Sequence, residues 1–564
     1  MAPGFFAAPN AKFLNYLSGM NRLLPYLLIA VGATFLFLHS LGRVPLFDWD
    51  EINFAESARE MMATGNYMQV QINYEPFWEK PPLFFWMQVV AMQVFGINEF
   101  AARLPNAICG VITLLVLFGI GSRLHNQRFA AWWVLVYAST FLPHLYFKSG
   151  IIDPWFNLFI FLGIYFLARF LDAQQQGVRR VLPPLLLSAL FTGLGVLTKG
   201  PVALLVVALS YLVFLLFNRG KGWVALKYYL FWGLGVLLVT LLWFGLEIAQ
   251  HGWWFVNEFI TYQIRLAQTK DAGHGGFLLY HFVVLLIGCF PASILMFRYY
   301  NQETENTGQQ LFRKLMIASL VVILVVFTIV KTKIVHYSSF AYFPIGYLAA
   351  ATVYGLTQQT ARLRKWQHWA LLVLGIIWSV LFIVLPLLGM HIEWLRPLLQ
   401  KDAFALANLD ADVSWNYALV LPGFLFLVAV VLSFTWLRQR KKQRALLLLF
   451  IACLGAMQVL LTLFTPRIER YSQHAALEFF ATLRGKDVYV KTIGYKSYAQ
   501  YFYARVQPGQ RKEAKDENWL LTGPVDKPTY FVSKITAKEW ILHDHGERLE
   551  VLYEKNGFVF YRRK

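Results

Sequence analysis

The sequence predicts an all-α polytopic membrane protein with a small C-terminal α/β domain, and three observations carry that prediction. Of 564 residues, 58% are hydrophobic and only 15% charged, which is the composition of a membrane chain. The apolar residues collect in runs long enough to cross a hydrocarbon core of roughly 30 Å. Beyond Pro466 those runs stop, and short alternating stretches replace them.

Thirteen runs begin near Leu23, Arg103, Phe129, Ile152, Leu182, Val202, Lys227, Phe277, Phe312, Tyr337, Trp369, Trp415 and Ala445. The segment from Arg22 to Gly42 is too long for a signal-peptide core and lacks a convincing cleavage site, so it is read as a retained first span. Pro82 to Gly96 is apolar but short, and by itself reads either as a fourteenth crossing or as an interfacial helix.

The chain carries 51 Lys and Arg against 31 Asp and Glu, a net charge of +20. These cations sit in short loops between apolar runs, which follows the positive-inside rule and points away from a nucleic-acid partner. The loops holding Arg123 and Arg128, Arg179 and Arg180, Arg219 and Lys221, Arg298 with Arg313 and Lys314, Arg362 with Arg364 and Lys365, and Arg438 to Arg444 share one side only if Pro82 to Gly96 does not cross. About thirteen spans follow, with the N-terminus cytoplasmic and the C-terminus external. Cys109, Cys289 and Cys453 each lie inside an apolar run, where they pack as small hydrophobes and indicate neither disulfides nor a metal cluster.

A membrane domain over 1–466 is therefore expected, with an external loop at 43–98 that carries interfacial helices. An external α/β domain covers 467–564. Its strands are read at Asp487 to Lys491, Thr529 to Ser533 and Gly557 to Tyr561, with a short helix from Ser497 to Ala504.

The same parity gathers a second set of segments on the outer face: 43–98, 148–153, 198–201, 250–276, 331–336 and 391–414. In the first of them, Asp48, Asp50 and Glu51 crowd beside an apolar span, where carboxylates hold a cation or a proton, or else simply cap an interfacial helix in water. Glu79 and Lys80 stand before two prolines that forbid helix at Lys80. A lysine at this boundary can meet a lipid phosphate as a point charge, or snorkel. Asp153 opens a span as an acid or an N-cap, and Thr198-Lys199-Gly200-Pro201 makes a tight turn with one cation. Lys331 to Tyr337 adds Lys331, Lys333 and His336, placed either for an anionic ligand or for a helix C-terminus. The stretch 250–276, read as a flexible covering segment, contributes Arg265 and His274.

Taken in order, these motifs resemble a known family. Asp50-Glu51 with Phe54-Ala55-Glu56 and Ala58-Arg59-Glu60, then Glu79-Lys80-Pro81-Pro82, Arg103-Leu104-Pro105, Asp153-Pro154, Thr198-Lys199-Gly200-Pro201 and Lys331 to Tyr337 are similar to the bacterial GT-C glycosyltransferases of family 83, in the dolichyl-phosphate-mannose-protein mannosyltransferase-like superfamily. The resemblance runs from about Leu41 to Tyr347. It implies a GT-C fold in the bacterial inner membrane with a periplasmic active site, an undecaprenyl-phosphate-linked sugar donor, a glycolipid acceptor such as lipid A, and inversion at the anomeric carbon. It also implies Asp50, Lys80 and Asp153 as catalytic residues. Lys80, Lys331, Lys333, His336, Tyr337 and Arg265 fall to the donor phosphate, and Glu79 with His274 to a divalent metal ion (zinc, magnesium or manganese). Asp48, Glu51 and Lys199 are further candidates.

Aminoarabinose transferases of that family follow the Asp-Glu pair with Thr-Arg-Tyr, whereas Ile52-Asn53-Phe54 stand here. The resemblance thus carries the reaction type and leaves sugar and acceptor open. Two other readings compete: a protein O-glycosyltransferase of the same superfamily, and a lipid or sugar transporter. A transporter would place ionisable groups near the midplane and show inverted repeats; here those groups sit at external span ends.

Overall fold

The structure, a computed structural model, describes residues 11–269, 275–297 and 306–564. Among the described residues, eight helices are long and apolar enough to cross a membrane, and Leu23–Leu38, Leu83–Phe95 and Val202–Phe217 are shorter apolar ones. Every apolar run of the sequence forms helix, but several are broken. Gln127–Ser139 stops at Thr140 before Phe141–Tyr146 resumes. Tyr280–Gly288 is separated from Ala292–Leu295 by Pro291, which cannot continue a helix ladder. Leu83–Phe95 has 13 residues, about 20 Å at 1.5 Å per residue, too short to span. The chain is a multi-pass membrane protein.

Helix 153–175 packs against helix 182–199, which packs in turn against 226–251. The contacts are close because they run through small residues: a Cβ on Gly193 would lie 2.6 Å from Val239, and one on Gly195 would lie 2.8 Å from Ala203. Small residues let backbones approach where lipid supplies no hydrophobic drive between helices. Helices 127–139, 153–175, 307–329 and 342–357 are locked by buried rings. Trp133 and Tyr347 meet edge to face at 5.1 Å, Phe312 and Tyr347 at 4.9 Å, and Phe161 stacks on Phe343 at 4.4 Å, geometries that aromatic quadrupoles favour. Phe161 lies two turns below Asp153, so this plug holds the helix that presents Asp153. Leu226–His251 and Lys365–Met390 instead expose apolar side chains along much of their length, as lipid-facing helices do.

The contacts sort the loops onto two ends. At one end, Gln309 bonds Leu124 O, Asn126 bonds Tyr354, Lys314 bonds Asn218 and Lys442 bonds Ala361 O, so the basic loops lie together. At the other end, segments 43–98, 148–153, 198–201 and 331–336 converge, as the site geometry below details.

The C-terminal unit also sits at this second end. Its sheet runs in the order β3 (Tyr489–Ile493), β4 (Thr529–Lys534), β6 (Phe558–Arg563), β5 (Leu549–Lys555), with β3 and β4 parallel and the other pairs antiparallel. A two-residue ladder, β1 (Gln71–Ile72) with β2 (Glu75–Pro76), lies in the first external loop. One face of the larger sheet buries Tyr489, Ile493, Phe531, Val559 and Tyr561 against Leu520, Leu521 and Ile541. The other face meets the bundle-side helix His474–Thr482 through Phe479 and Phe560, 4.7 Å apart. Strand β5 is an addition to the three strands read from alternation. Asn556 and Gly557, at φ 48° and 78°, form the tight hairpin turn that pairs it with β6, and Asn-Gly between alternating runs was its sequence signal.

Candidate active site

The first external loop begins with a buried keystone. Arg103 grips Glu51 with two bonds, Nε to Oε1 at 3.0 Å and Nη2 to Oε2 at 2.7 Å, and donates its remaining protons to the carbonyls of Leu41, Val44 and Pro45. Glu51 also accepts from the backbone N–H groups of Phe47 and Gly150. Burial by itself raises the Glu51 carboxyl, but Arg103 and these donors outweigh it and hold it below the ordinary carboxylate range. Every strong partner of Glu51 is structural, so this acid anchors the loop.

From that anchor runs helix Asp50–Thr64, whose residues Glu51 to Met61 are all buried. An interfacial helix with one wet face is therefore not what forms. Its charged side chains find partners internally: Glu56 pairs with Arg59 at 2.7 Å, and Glu60 accepts from Asn73 N and Tyr74 N. Burial beside the Glu56 carboxylate pushes Glu60 up to about 9, so it keeps its proton at neutral pH.

The C-terminal unit covers this helix. Tyr74 donates to Val506 O at 2.6 Å, Leu46 N donates to Tyr503 Oη at 2.8 Å, and Gln473 donates to Leu46 O at 2.7 Å. Trp49 lies edge-on to Tyr498 and under the ammonium of Lys496. The turn at 46–49, immediately before Asp50, is thus held from the C-terminal side. Gln473→Ala is expected to cost about 1–2 kcal/mol of stability and to lower kcat more than it raises KM, because it loosens the turn that aims Asp50. A pure KM effect in steady-state kinetics would contradict that positioning role.

Eight of the residues singled out from sequence meet at this end of the bundle: Asp50, Glu79, Lys80, Asp153, Lys199, Arg265, His336 and Tyr337. Asp153 is buried; its Oδ1 accepts from Lys199 Nζ at 2.6 Å and from Ser339 Oγ at 3.3 Å. The N-cap reading of Asp153 is replaced by this pairing: Asp153 is the first residue of its helix and makes no side-chain cap. Lys199, the last residue of helix 182–199, also lies 5.6 Å from the ring centres of Phe156 and Tyr337. His336 Nε2 stands 3.7 Å from Asp50 Oδ2. Burial lowers the imidazole, and Lys199 and Lys80 push it further down against the pull of Asp153 and Asp50, so it sits below its ordinary 6.5.

Lys80 is buried except for 14% of its side chain, and among the described residues its nearest carboxylate oxygen is Glu79 Oε2, 4.0 Å away. Glu79 itself accepts from Tyr262 Oη at 2.9 Å, and the Tyr262 ring lies 5.2 Å from the Lys80 ammonium and 5.0 Å from the Arg265 guanidinium. Burial depresses Lys80 below its ordinary 10.5 despite the nearby charges of Glu79 and Asp50.

The remaining sequence candidates lie elsewhere or bond elsewhere. Lys333 donates to the carbonyls of Phe327 and Thr328 and thereby caps helix 307–329, which is the helix-terminus alternative for that lysine. Lys331 is exposed. Asp48, whose carboxyl burial raises, faces the C-terminal unit. His274 lies outside the described residues. Segment 250–276 is not simply a flexible cover: Trp254–Gln268 is an amphipathic helix that delivers Tyr262 and Arg265. Tyr262 and Ser339 escaped the sequence reading; the amphipathic period of residues 254–268 was the available signal for the first, and nothing local marked the second.

Among the described residues, no group of three or more His, Cys, Asp or Glu is placed to hold a metal ion. Glu79 offers one carboxylate, already bonded to Tyr262 and beside Lys80, so the described residues do not by themselves form a metal centre.

Three carboxylates and two ammonium groups thus gather at one end of an apolar bundle, beside the rings of Phe156, Tyr262 and Tyr337, in a membrane protein of the GT-C fold. That fold is shown by comparison with solved structures. ArnT from Cupriavidus metallidurans bound to undecaprenyl phosphate superimposes with a TM-score of 0.74 over 96% of this chain and 98% of that one, at 18% identity; its apo form gives 0.69. The dolichyl-phosphate-mannose-protein mannosyltransferase family model matches residues 79–244, a stretch that includes Lys80, Asp153 and Lys199.

Among curated proteins, the chain is similar to the undecaprenyl phosphate-alpha-4-amino-4-deoxy-L-arabinose arabinosyl transferases. The one from Shewanella sediminis is 30% identical over 45% of this chain, which spans 46% of that relative's length. The one from Pectobacterium carotovorum is 26% identical over 73% of this chain and 76% of its own. These relatives belong to the same group that the motifs resemble.

Proposed function

We propose that this chain is an integral-membrane glycosyltransferase that moves a sugar from undecaprenyl phosphate to an acceptor on the periplasmic face, lipid A or another envelope glycolipid, with inversion. The observation that carries the reading is Lys80. A buried ammonium with no carboxylate of the described residues closer than 4.0 Å is poorly compensated, and a phosphate completes it. The likeness to the arabinosyl transferases and to ArnT supports an undecaprenyl-phosphate donor. The basic loops at the opposite end support a bacterial inner-membrane orientation with the N-terminus cytoplasmic and the site periplasmic.

In the reaction, the acceptor oxygen attacks the anomeric carbon from the face opposite the phosphate. The bond from that carbon to the phosphate oxygen breaks, and undecaprenyl phosphate leaves with the electron pair. Lys80, with Arg265 across the Tyr262 ring, neutralises the developing charge. Lys199, fixed by Asp153, adds a second cation without being free to move. Asp50 takes the proton when the acceptor is a hydroxyl, and orients the acceptor when it is a phosphate, which is already nucleophilic. A divalent ion at Glu79 and His274 belongs to the proposal as well. Held there, such an ion would supply further positive charge for the departing phosphate, and metal analysis of wild type against Glu79→Gln tests it.

The Lys80 assignment predicts a pH dependence. Because burial holds this lysine below 10.5, the cation is lost as pH rises through that lowered value, and donor binding falls with it. Lys80→Arg is expected to move this alkaline limb upward, since guanidinium keeps its proton above pH ~12. A limb that stays put in titrations of donor affinity would remove Lys80 from the phosphate.

The deciding experiment is mass spectrometry of lipid A and of polyprenyl-phosphate sugars from cells with and without the gene. Loss of a sugar-sized mass on lipid A, with donor accumulating, establishes sugar and acceptor together. Donor accumulation with unchanged lipid A would overturn the lipid A acceptor. The mannosyltransferase family match makes a peptide hydroxyl the second acceptor class to assay.

A further inference from the structure

At the end of the bundle opposite the lysine and carboxylate cluster, a cavity of 430 Å³ opens between the end of helix Tyr342–Thr357 and the turn that joins Leu421–Arg438 to Lys442–Val459. Arg440, Lys441, Lys442 and Arg444 line it, together with Thr357 and Gln443. The framing segments 356–369 and 436–448 hold eight Lys and Arg and no Asp or Glu. The positive-inside rule accounts for basic loops on this side. It does not account for four cations converging on one concave surface without a carboxylate in either segment.

The concavity is held by the backbone. Gln359 and Arg440 adopt left-handed conformations at φ 62° and 63°. Thr360 N and Ala361 N both donate to Gly355 O, Lys441 N donates to Trp436 O, and Lys442 Nζ ties the two turns together through Ala361 O at 3.0 Å. The site lies at the bilayer boundary. Trp366 and Trp369 are exposed just beyond it, as aromatic anchors are, and Trp369 packs on Phe434 at 5.3 Å. Further along the same helices, Val373, Ile377 and Ile451 present apolar surface outward. A phosphate therefore finds cations in the cavity, and attached hydrocarbon finds an apolar face directly below.

We propose that this cavity binds the phosphate of an anionic phospholipid, whose acyl chains lie along helices Lys365–Met390 and Lys442–Val459. Basic pockets between spans on this side suit such headgroups, and each basic residue near the phosphate contributes about fivefold in affinity.

The test uses the full-length protein, delipidated in detergent and then given phosphatidylglycerol, phosphatidylcholine or inorganic phosphate, with retained molecules counted by native mass spectrometry. Wild type is expected to keep phosphatidylglycerol at least about tenfold over phosphatidylcholine, and inorganic phosphate should not displace it. Arg440→Gln with Arg444→Gln should weaken retention about 25-fold. Gln443→Trp, which fills the cavity and removes no charge, should abolish the preference; Thr357→Trp fills it from the facing wall and replaces Gln443→Trp if that variant does not fold. Equal retention of both lipids by wild type would overturn the proposal. So would unchanged retention in the filled cavity, which would make the attraction a diffuse surface one, or displacement by inorganic phosphate, which would make the ligand a soluble anion.

Discussion

Asp50→Asn is expected to lower sugar transfer by about 10²–10⁴-fold, the range for removing a positioned proton acceptor, while leaving the protein folded. The asymmetry follows from its surroundings. Asp50 keeps 35% of its side chain exposed, and among the described residues its nearest ionisable partner is His336 at 3.7 Å, beyond hydrogen-bond length. The amide is isosteric and leaves no buried charge behind, so the unfolding midpoint should stay within the error of wild type. Asp153→Asn makes a useful contrast. Asp153 accepts from Lys199 at 2.6 Å, and losing that carboxylate strands a mostly buried ammonium, so activity and stability should fall together. Paired measurements of turnover and thermal unfolding separate the two acids. Wild-type turnover by Asp50→Asn would refute its role in the reaction.

The largest effect on stability is expected from Arg103→Met, about 3–5 kcal/mol, the cost of breaking a buried ion pair from one side. Glu51 would keep its charge with 5% side-chain exposure, and the carbonyls of Leu41, Val44 and Pro45 would lose their donor. Glu51→Leu combined with Arg103→Met should recover much of the loss, since replacing both partners by apolar groups removes the unpaired charge. Unfolding of the two single variants and the double variant in detergent gives the coupling directly. A single Arg103→Met variant as stable as wild type would mean that the pair does not anchor the loop. Activity serves as a second readout, because the same pair sets the start of the helix that carries Asp50.

Much of the architecture was readable from the chain because membrane insertion depends on local quantities. An apolar run long enough to cross announces itself without knowledge of its neighbours, and the basic loops sort onto one end by charge. The shortness of Leu83–Phe95 is equally local, whereas the breaks at Thr140 and Pro291 fall inside runs that read as continuous spans. The motifs at Asp50, Lys80, Asp153, Lys199 and His336 were legible as charges at span ends. What each does was not. Lys333 stands two residues from Lys331 in a run that reads uniformly cationic, yet it closes a helix end while its neighbour faces water. Ser339 reaches Asp153 across 186 residues, and Tyr262 reaches Glu79 across 183; no periodicity in either segment encodes such a meeting.

Asp50 and Glu51 show where the division falls. Two adjacent carboxylates at the start of a helix beside a membrane span, and their need for partners, are legible in the order of residues alone. Adjacent residues on a helix point about 100° apart, so the two carboxylates face different neighbours. Only the packing of helix Glu99–Leu124, which brings Arg103 beneath the loop, decided that Glu51 is the buried anchor and Asp50 the acid left facing His336. An ion pair buried in low dielectric is worth its desolvation only with close geometry, and close geometry between distant residues is a property of the tertiary structure.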